Sequence, residues 1–209
     1  MSEIQCVTAI LTKAEDVGEN DRLVRLFTME GGMLRAKIRG VKKPKAKLKF
    51  AAQPFAFCKY DLAKRGAYYT VTSATQIESL FAVTYDEKKY LAGCVMLEIS
   101  DVAVDEIKCP ELFVKLLKAL KTLIYDDTAN PYLVAAKYAI AALAEQGYGG
   151  AYTGKSSAEK LLETLRHTAL VGLKDITCDD NAAANALKRA ANDCEYYFDK
   201  RIISADKLL

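Results

Sequence analysis

Near residue 81 the apolar residues of this chain change their spacing, and that change limits what the chain can become. Before it, apolar and polar residues alternate in short runs; after it, apolar residues recur every three or four positions. Each element buries only the face its own period creates, so the pattern reads as a β unit followed by an α unit. The spacing predicts strands at Ile4–Leu11, Arg22–Thr28, Met33–Ile38, Pro54–Leu62 and Ala67–Thr72. Thr12–Asp21 reads as a polar turn, Glu30-Gly31-Gly32 as a tight hairpin and Lys64-Arg65-Gly66 as the last reversal. The four acids of the first turn, Glu15, Asp16, Glu19 and Asp21, lack calcium-loop spacing and read as solvated.

Five short strands in residues 1–80 suit a closed antiparallel barrel, of which the OB-fold is the commonest five-stranded kind that binds oligonucleotides. Residues 81–209 read as an all-α bundle. Helices are expected over Asp86–Asp105, from Pro110 through Ile124, from Asn130-Pro131 to Gln146 with Gly147 as the stop, over Leu161–Leu170, and from Asp179 or Asp180 to about Ile203. Ser156 and Glu159 form a capping-box pair ahead of the fourth helix. The expected architecture is α+β, a barrel domain at 1–80 and a helical domain at 81–209.

Charge divides the same way. Residues 1–80 hold 14 basic and 8 acidic residues, a net of +6, whereas the remaining residues hold 16 and 19, a net of −3. Most of the positive charge sits in Met33–Lys49, MLRAKIRGVKKPKAKLK, which has eight cations and no acid. Leu34, Ala36 and Ile38 alternate with Arg35, Lys37 and Arg39, so one strand face is apolar and the other cationic. Gly40 ends the strand, and Pro44 among the lysines makes Lys42–Lys47, with Lys42, Lys43, Lys45 and Lys47, a mobile basic loop, with Lys49 following. A basic run alone reads as a solvated loop. Joined to a core-forming strand in a small barrel, it reads as a surface for a polyanion, whose counterions are released on binding. Phe50, Phe55, Phe57, Tyr60, Tyr68 and Tyr69 follow; most are expected to fill the barrel, and any exposed ones to stack on bases.

Other chemistry finds little support. The six cysteines form no C-x-x-C pair, and the opening MSEIQCVTAIL has no basic n-region. Reduced thiols in a cytoplasmic protein are therefore expected, with no membrane span. His167 is the one histidine, which leaves no two-histidine metal site. Gly149–Ser156, GGAYTGKS, matches the P-loop spacing, whose glycines would cradle phosphates. An alanine-rich helix precedes it instead of a parallel strand, so nucleotide binding through Gly149–Ser156 is a lesser alternative. No catalytic site and no cofactor are expected.

The order of features resembles a known family. GENDRLVRLFTMEGGMLRAKIRGVKKPKAKL and PFAFCKYDL, then YLAGCVMLEISD, ELFVKLLKALKTL and EYYFDKRIISADKLL, resemble the bacterial recombination mediators of the RecO family. The resemblance implies binding to single- and double-stranded DNA and annealing of complementary strands. It further implies work with RecR, and in many bacteria RecF, to let RecA replace single-strand-binding protein (SSB), in the cytoplasm at the nucleoid. Many members carry a four-cysteine zinc module where this chain has GGAYTGKSSAEK, so zinc is expected to be absent. Contact with the acidic, aromatic-ended SSB tail is also implied. Lys115, Lys118 and Lys121 share a helix edge beside Leu117 and Leu120 and are the expected seat for that tail. A general single-stranded nucleic-acid binder, acting on RNA, is the alternative.

Overall fold

The computed structural model describes residues 4–65, 68–105 and 108–208. Contacts divide the chain into two compact units, Met1–Phe81 with Val104–Phe113, and Ala82–Ala103 with Val114–Leu209.

In the first unit β1 (Ile4–Val17), β2 (Asp21–Thr28), β3 (Gly32–Ile38), β4 (Ala56–Arg65) and β5 (Tyr68–Ser79) close a barrel in the order β1-β2-β3-β5-β4. Only the β3–β5 pair is parallel among these neighbours. This is an OB-type barrel followed by helices, as the period change implies. The polar turn expected at Thr12–Asp21 is mostly strand: β1 runs on to Val17 and pairs with β2 through Asp21. It does so through a bulge at Thr12, between Leu11 and Lys13. The last two strands are also longer than their alternation suggests. Lys64 and Arg65 belong to β4, while Gly66 and Ala67 lie outside the described residues.

The barrel interior holds Val7, Ala9 and Leu11 of β1, Val24 and Leu26 of β2, Ala36 and Ile38 of β3, Tyr60 and Leu62 of β4, and Val71 of β5. Tyr60 is fully buried, and its hydroxyl donates to the Ala51 carbonyl at 3.0 Å, which satisfies the one polar atom it carries inside. The outward face is not uniformly wet. Ile10 pairs with Phe27 on one side and Phe57 on the other, and all three are buried. Phe113 covers them, edge-on to Phe27 at 5.4 Å and tilted against Phe57 at 6.2 Å. Met33 donates its N–H to the Asp105 carbonyl at 2.8 Å, so Asp105 is tied to the barrel by backbone and Phe113 by packing.

The second unit contains α1 (Glu87–Ala103), most of α2 (Pro110–Tyr125), α3 (Pro131–Glu145), α4 (Ser157–His167) and α5 (Asp180–Phe198). The caps follow the sequence signals. The Asn130 side chain accepts from Tyr132 N–H at 3.0 Å, Ser156 from Glu159 N–H at 3.1 Å, and Asp179 from Ala182 N–H at 2.7 Å. Gly147, at φ +83°, ends α3, and Tyr148 N–H closes back on the Leu143 carbonyl at 2.8 Å. Two helices stop earlier than expected. After His167 and after Phe198 the chain turns into single 3₁₀ turns, Leu170–Asp175 and Ile203–Lys207; Asp199 takes a left-handed conformation at the second break. α3 and α5 pack on each other, and Ala135, Ala139 and Ala142 of the one and Ala183, Ala186 and Ala190 of the other are buried. No helix of the described residues is long and apolar enough to cross a membrane.

Candidate nucleic-acid interface

The bulge at Thr12 reverses which β1 side chains face outward. Before it Val7, Ala9 and Leu11 point in; after it Ala14 packs against the core and Lys13 and Glu15 face out. Lys13 is thereby paired with Arg25 of β2, and Arg25 with Arg35 of β3. Three cations stand side by side on neighbouring strands and line a shallow cavity of about 250 Å³ together with Glu15 and Leu23. Glu15 is held by Lys13 at 2.6 Å, and that hydrogen bond keeps its carboxyl below the usual carboxylate range. The cations outnumber the acid three to one.

Lys13 and Arg25 were outside the stretch that the sequence singles out. Arg25 was legible, since Val24 and Leu26 alternate with it; Lys13 was not, because no composition rule marks the bulge. Within that stretch the eight cations divide. Arg35 and Arg39 are exposed and carry no ion pair among the described residues, as do Lys43, Lys45, Lys47 and Lys49 in a series of turns after Gly40. Lys37 is held by Asp21 at 2.8 Å and Lys42 by Asp16 at 2.8 Å. Three of the four acids expected to be solvated, Glu15, Asp16 and Asp21, are therefore anchors, while Glu19 is exposed. Asp16 also takes Arg22 at 2.9 Å, and Asp21 accepts the Gly40 N–H at 2.8 Å, where Gly40 has φ +64°. Of the six aromatics, Phe55, Phe57 and Tyr60 are buried and Tyr68 is 58 % exposed.

These anchors carry a pH dependence. The hydrogen bond from Lys37, then the Gly40 N–H, lower the Asp21 pKa; the hydrogen bonds from Lys42 and Arg22 lower that of Asp16. Lowered folded values mean the stabilisation is present above the ordinary value of 3.8 and is lost as pH falls through the depressed ones. Asp21→Asn frees Lys37 at neutral pH. It is expected to tighten binding of a polyanion modestly, since an exposed ion pair is screened by solvent. A titration of polyanion affinity in the variant and the parent checks this.

The helical unit offers a second cationic place. A cavity of about 720 Å³ lies among α2, α3 and the turn after α4, lined by Lys115, Lys118 and Lys121 of α2, by Lys137 of α3 and by Arg166. Its apolar lining is not that expected from α2. Leu120 is buried and Leu117 half-buried, neither lining the cavity; Ala141, Ala144, Leu170 and Val171 line it instead. Lys115 is bridged to Glu145. Lys137 donates to the Leu165 and Arg166 carbonyls at 2.8 and 3.0 Å, and burial, then the Lys115 charge, pushes its pKa down.

In the glycine loop, Tyr152 N–H donates to Glu163 at 2.9 Å, and Lys155 N–H and the Thr153 hydroxyl donate to Glu159 at 3.1 and 2.7 Å. Amides that would cradle a phosphate are given over to carboxylates. His167 is exposed and pairs with Glu163 at 3.0 Å. Among the described residues no group of three His, Cys, Asp or Glu side chains converges as a metal-binding set.

Residues 1–80 match the family model described as "Recombination protein O N terminal". Over those residues the chain belongs to the RecO N-terminal family. It is 31 % identical over 141 residues to a "DNA repair protein RecO" of Desulfitobacterium hafniense, covering 67 % of this chain and 50 % of that protein. A RecO of Thermobifida fusca is 32 % identical over 148 residues, covering 68 % and 59 %. One of Acetivibrio thermocellus is 27 % identical over 142 residues, covering 68 % and 56 %. The chain thus spans about half to three-fifths of the length of these RecO relatives.

Proposed function

We propose that the chain is a DNA-binding protein of DNA repair that acts as a recombination mediator. It binds single- and double-stranded DNA, anneals complementary strands and, together with RecR and in some settings RecF, helps RecA replace SSB on gapped DNA. The work is binding rather than catalysis, carried out in the cytoplasm at the nucleoid. The observation that carries the DNA reading is the cross-strand row Lys13–Arg25–Arg35, together with the exposed Arg39, Lys43, Lys45, Lys47 and Lys49 of the same unit, which have no ion pair among the described residues. Lys13, Lys37 and Lys42 take a phosphate only by leaving Glu15, Asp21 and Asp16. Such a surface grips phosphates and reads no base identity. The test is strand annealing with SSB-coated oligonucleotides. Faster annealing by the purified chain supports the reading, and no binding to naked or coated strands overturns it.

The row also favours one rival, a general single-stranded nucleic-acid binder, because phosphate contacts do not see the 2′-hydroxyl. Competition between DNA and RNA oligonucleotides of one sequence separates the two.

The 720 Å³ cavity supports the SSB part of the proposal. An acidic tail ending in an aromatic residue needs an apolar seat with cations at its rim, and Lys115, Lys118 and Lys121 supply the rim. Lys118→Glu with Lys121→Glu is expected to abolish binding of the tail peptide in fluorescence polarisation. Affinity for naked DNA should stay nearly unchanged, since the barrel cations lie in the other unit.

A further inference from the structure

The glycine loop leaves one feature unused. Tyr148 follows the Gly147 stop of α3, and its ring stacks on Tyr197 of α5 at 4.8 Å with the planes 23° apart. Tyr196 stands edge-on to Tyr197 at 5.1 Å. Despite these contacts the three rings remain 45 %, 45 % and 80 % exposed for Tyr148, Tyr197 and Tyr196. Beside them Gly149, Gly150 and Ala151 border a cavity of about 150 Å³ that also takes in Arg189 and Asp193. A cavity of about that size accepts a single benzene ring. Arg189 and Asp193, paired at 3.2 Å, set a donor and an acceptor at its wall.

We propose that Tyr148, Tyr197 and the Gly149–Ala151 backbone form a seat in the helical unit for one unpaired base of single-stranded DNA. Three observations favour a base over a nucleotide's phosphates or a purely apolar group. The rings already lie in a stacking arrangement, and base–aromatic stacking is indifferent to sequence. The loop amides of Tyr152 and Lys155 are taken by Glu163 and Glu159, carboxylates that would also repel a phosphate there. The cavity is ring-sized and carries polar groups at its wall, suited to the hydrogen-bonding edge of a base. The exposed Lys155 closes the same loop and offers a cation to the adjoining phosphate. That the strand is DNA rests on the proposed function; the seat itself rests on the tyrosines and the cavity.

The experiment compares two oligomers of equal length, one with bases and one abasic, titrated against the full chain. Tyr148→Leu with Tyr197→Leu removes the stack but keeps apolar bulk. Gly150→Leu is the second variant, since a side chain there meets nothing within 4 Å and stands at the cavity, whereas one at Gly149 would meet Ala144 at 3.0 Å. The parent protein is expected to prefer the base-bearing strand by roughly 10-fold or more, the worth of one stacked base. Both variants should lose that preference and keep their abasic affinity. A preference retained in both variants overturns the seat and leaves the barrel reading intact. No preference in the parent does the same. Binding of neither oligomer by the parent overturns the DNA reading and the seat with it. Loss of self-association in the variants, read by sedimentation with the base preference unchanged, assigns the tyrosines to a second copy and likewise overturns it.

Discussion

Phe113→Ala is expected to cost the barrel unit about 3–5 kcal/mol, the range for truncating a buried phenylalanine. Phe113 is 1 % exposed and packs on Phe27 and Phe57, which with Ile10 form the apolar part of the outer barrel face. Removing the ring leaves a void over three large side chains that cannot close it without moving strands. Chemical denaturation checks the expectation: the midpoint should fall with little change in slope. Phe113→Leu keeps most of the volume and is expected to lose well under half as much. An alanine variant as stable as its parent would show that residues 104–113 are not part of the barrel's fold.

Replacing Lys13, Arg25 and Arg35 together with glutamine is expected to weaken binding to every DNA sequence alike. On single strands each lost phosphate contact lowers the slope of log K against log salt by about 0.7, so the triple variant should lose about 2. Lys13→Gln and Lys37→Gln alone should each do less than Arg35→Gln, because Glu15 and Asp21 already hold those lysines, so the loss of about 2 is the upper bound for the triple variant. Equal salt slopes in parent and folded triple variant would sink the assignment.

The β-then-α order was legible because burial imposes the period, and the helix caps because Asn130, Ser156 and Asp179 have few other uses at those positions. The course of β1 beyond Leu11 was not. One inserted residue at Thr12 breaks the alternation, and a broken alternation in polar residues looks like a turn. The partners of Asp16 and Asp21 were hidden for a related reason. Charge counts do not reveal which acid lies opposite which base, and only strand pairing brings Asp21 to Lys37. At the tail cavity, helical spacing placed the lysines on a common edge but assigned the apolar lining to their own helix. Leu170 and Val171 come from a 3₁₀ turn far along the chain, which no local period can announce.

The lateral pairing of Lys13, Arg25 and Arg35 has a directional consequence. Their row crosses β1, β2 and β3 instead of following β3, with adjacent strands about 4.8 Å apart. A sugar–phosphate chain seated on the row would travel transverse to the strands. Its heading would be set by backbone register, which side-chain rotamers cannot alter. Displacement parallel to the strands would take it off all three cations together, whereas displacement along the row would pass phosphates from one cation to the next. Under the proposed function, such a surface would let a bound strand creep lengthwise while resisting sideways escape, the freedom that two complementary strands need to find their register.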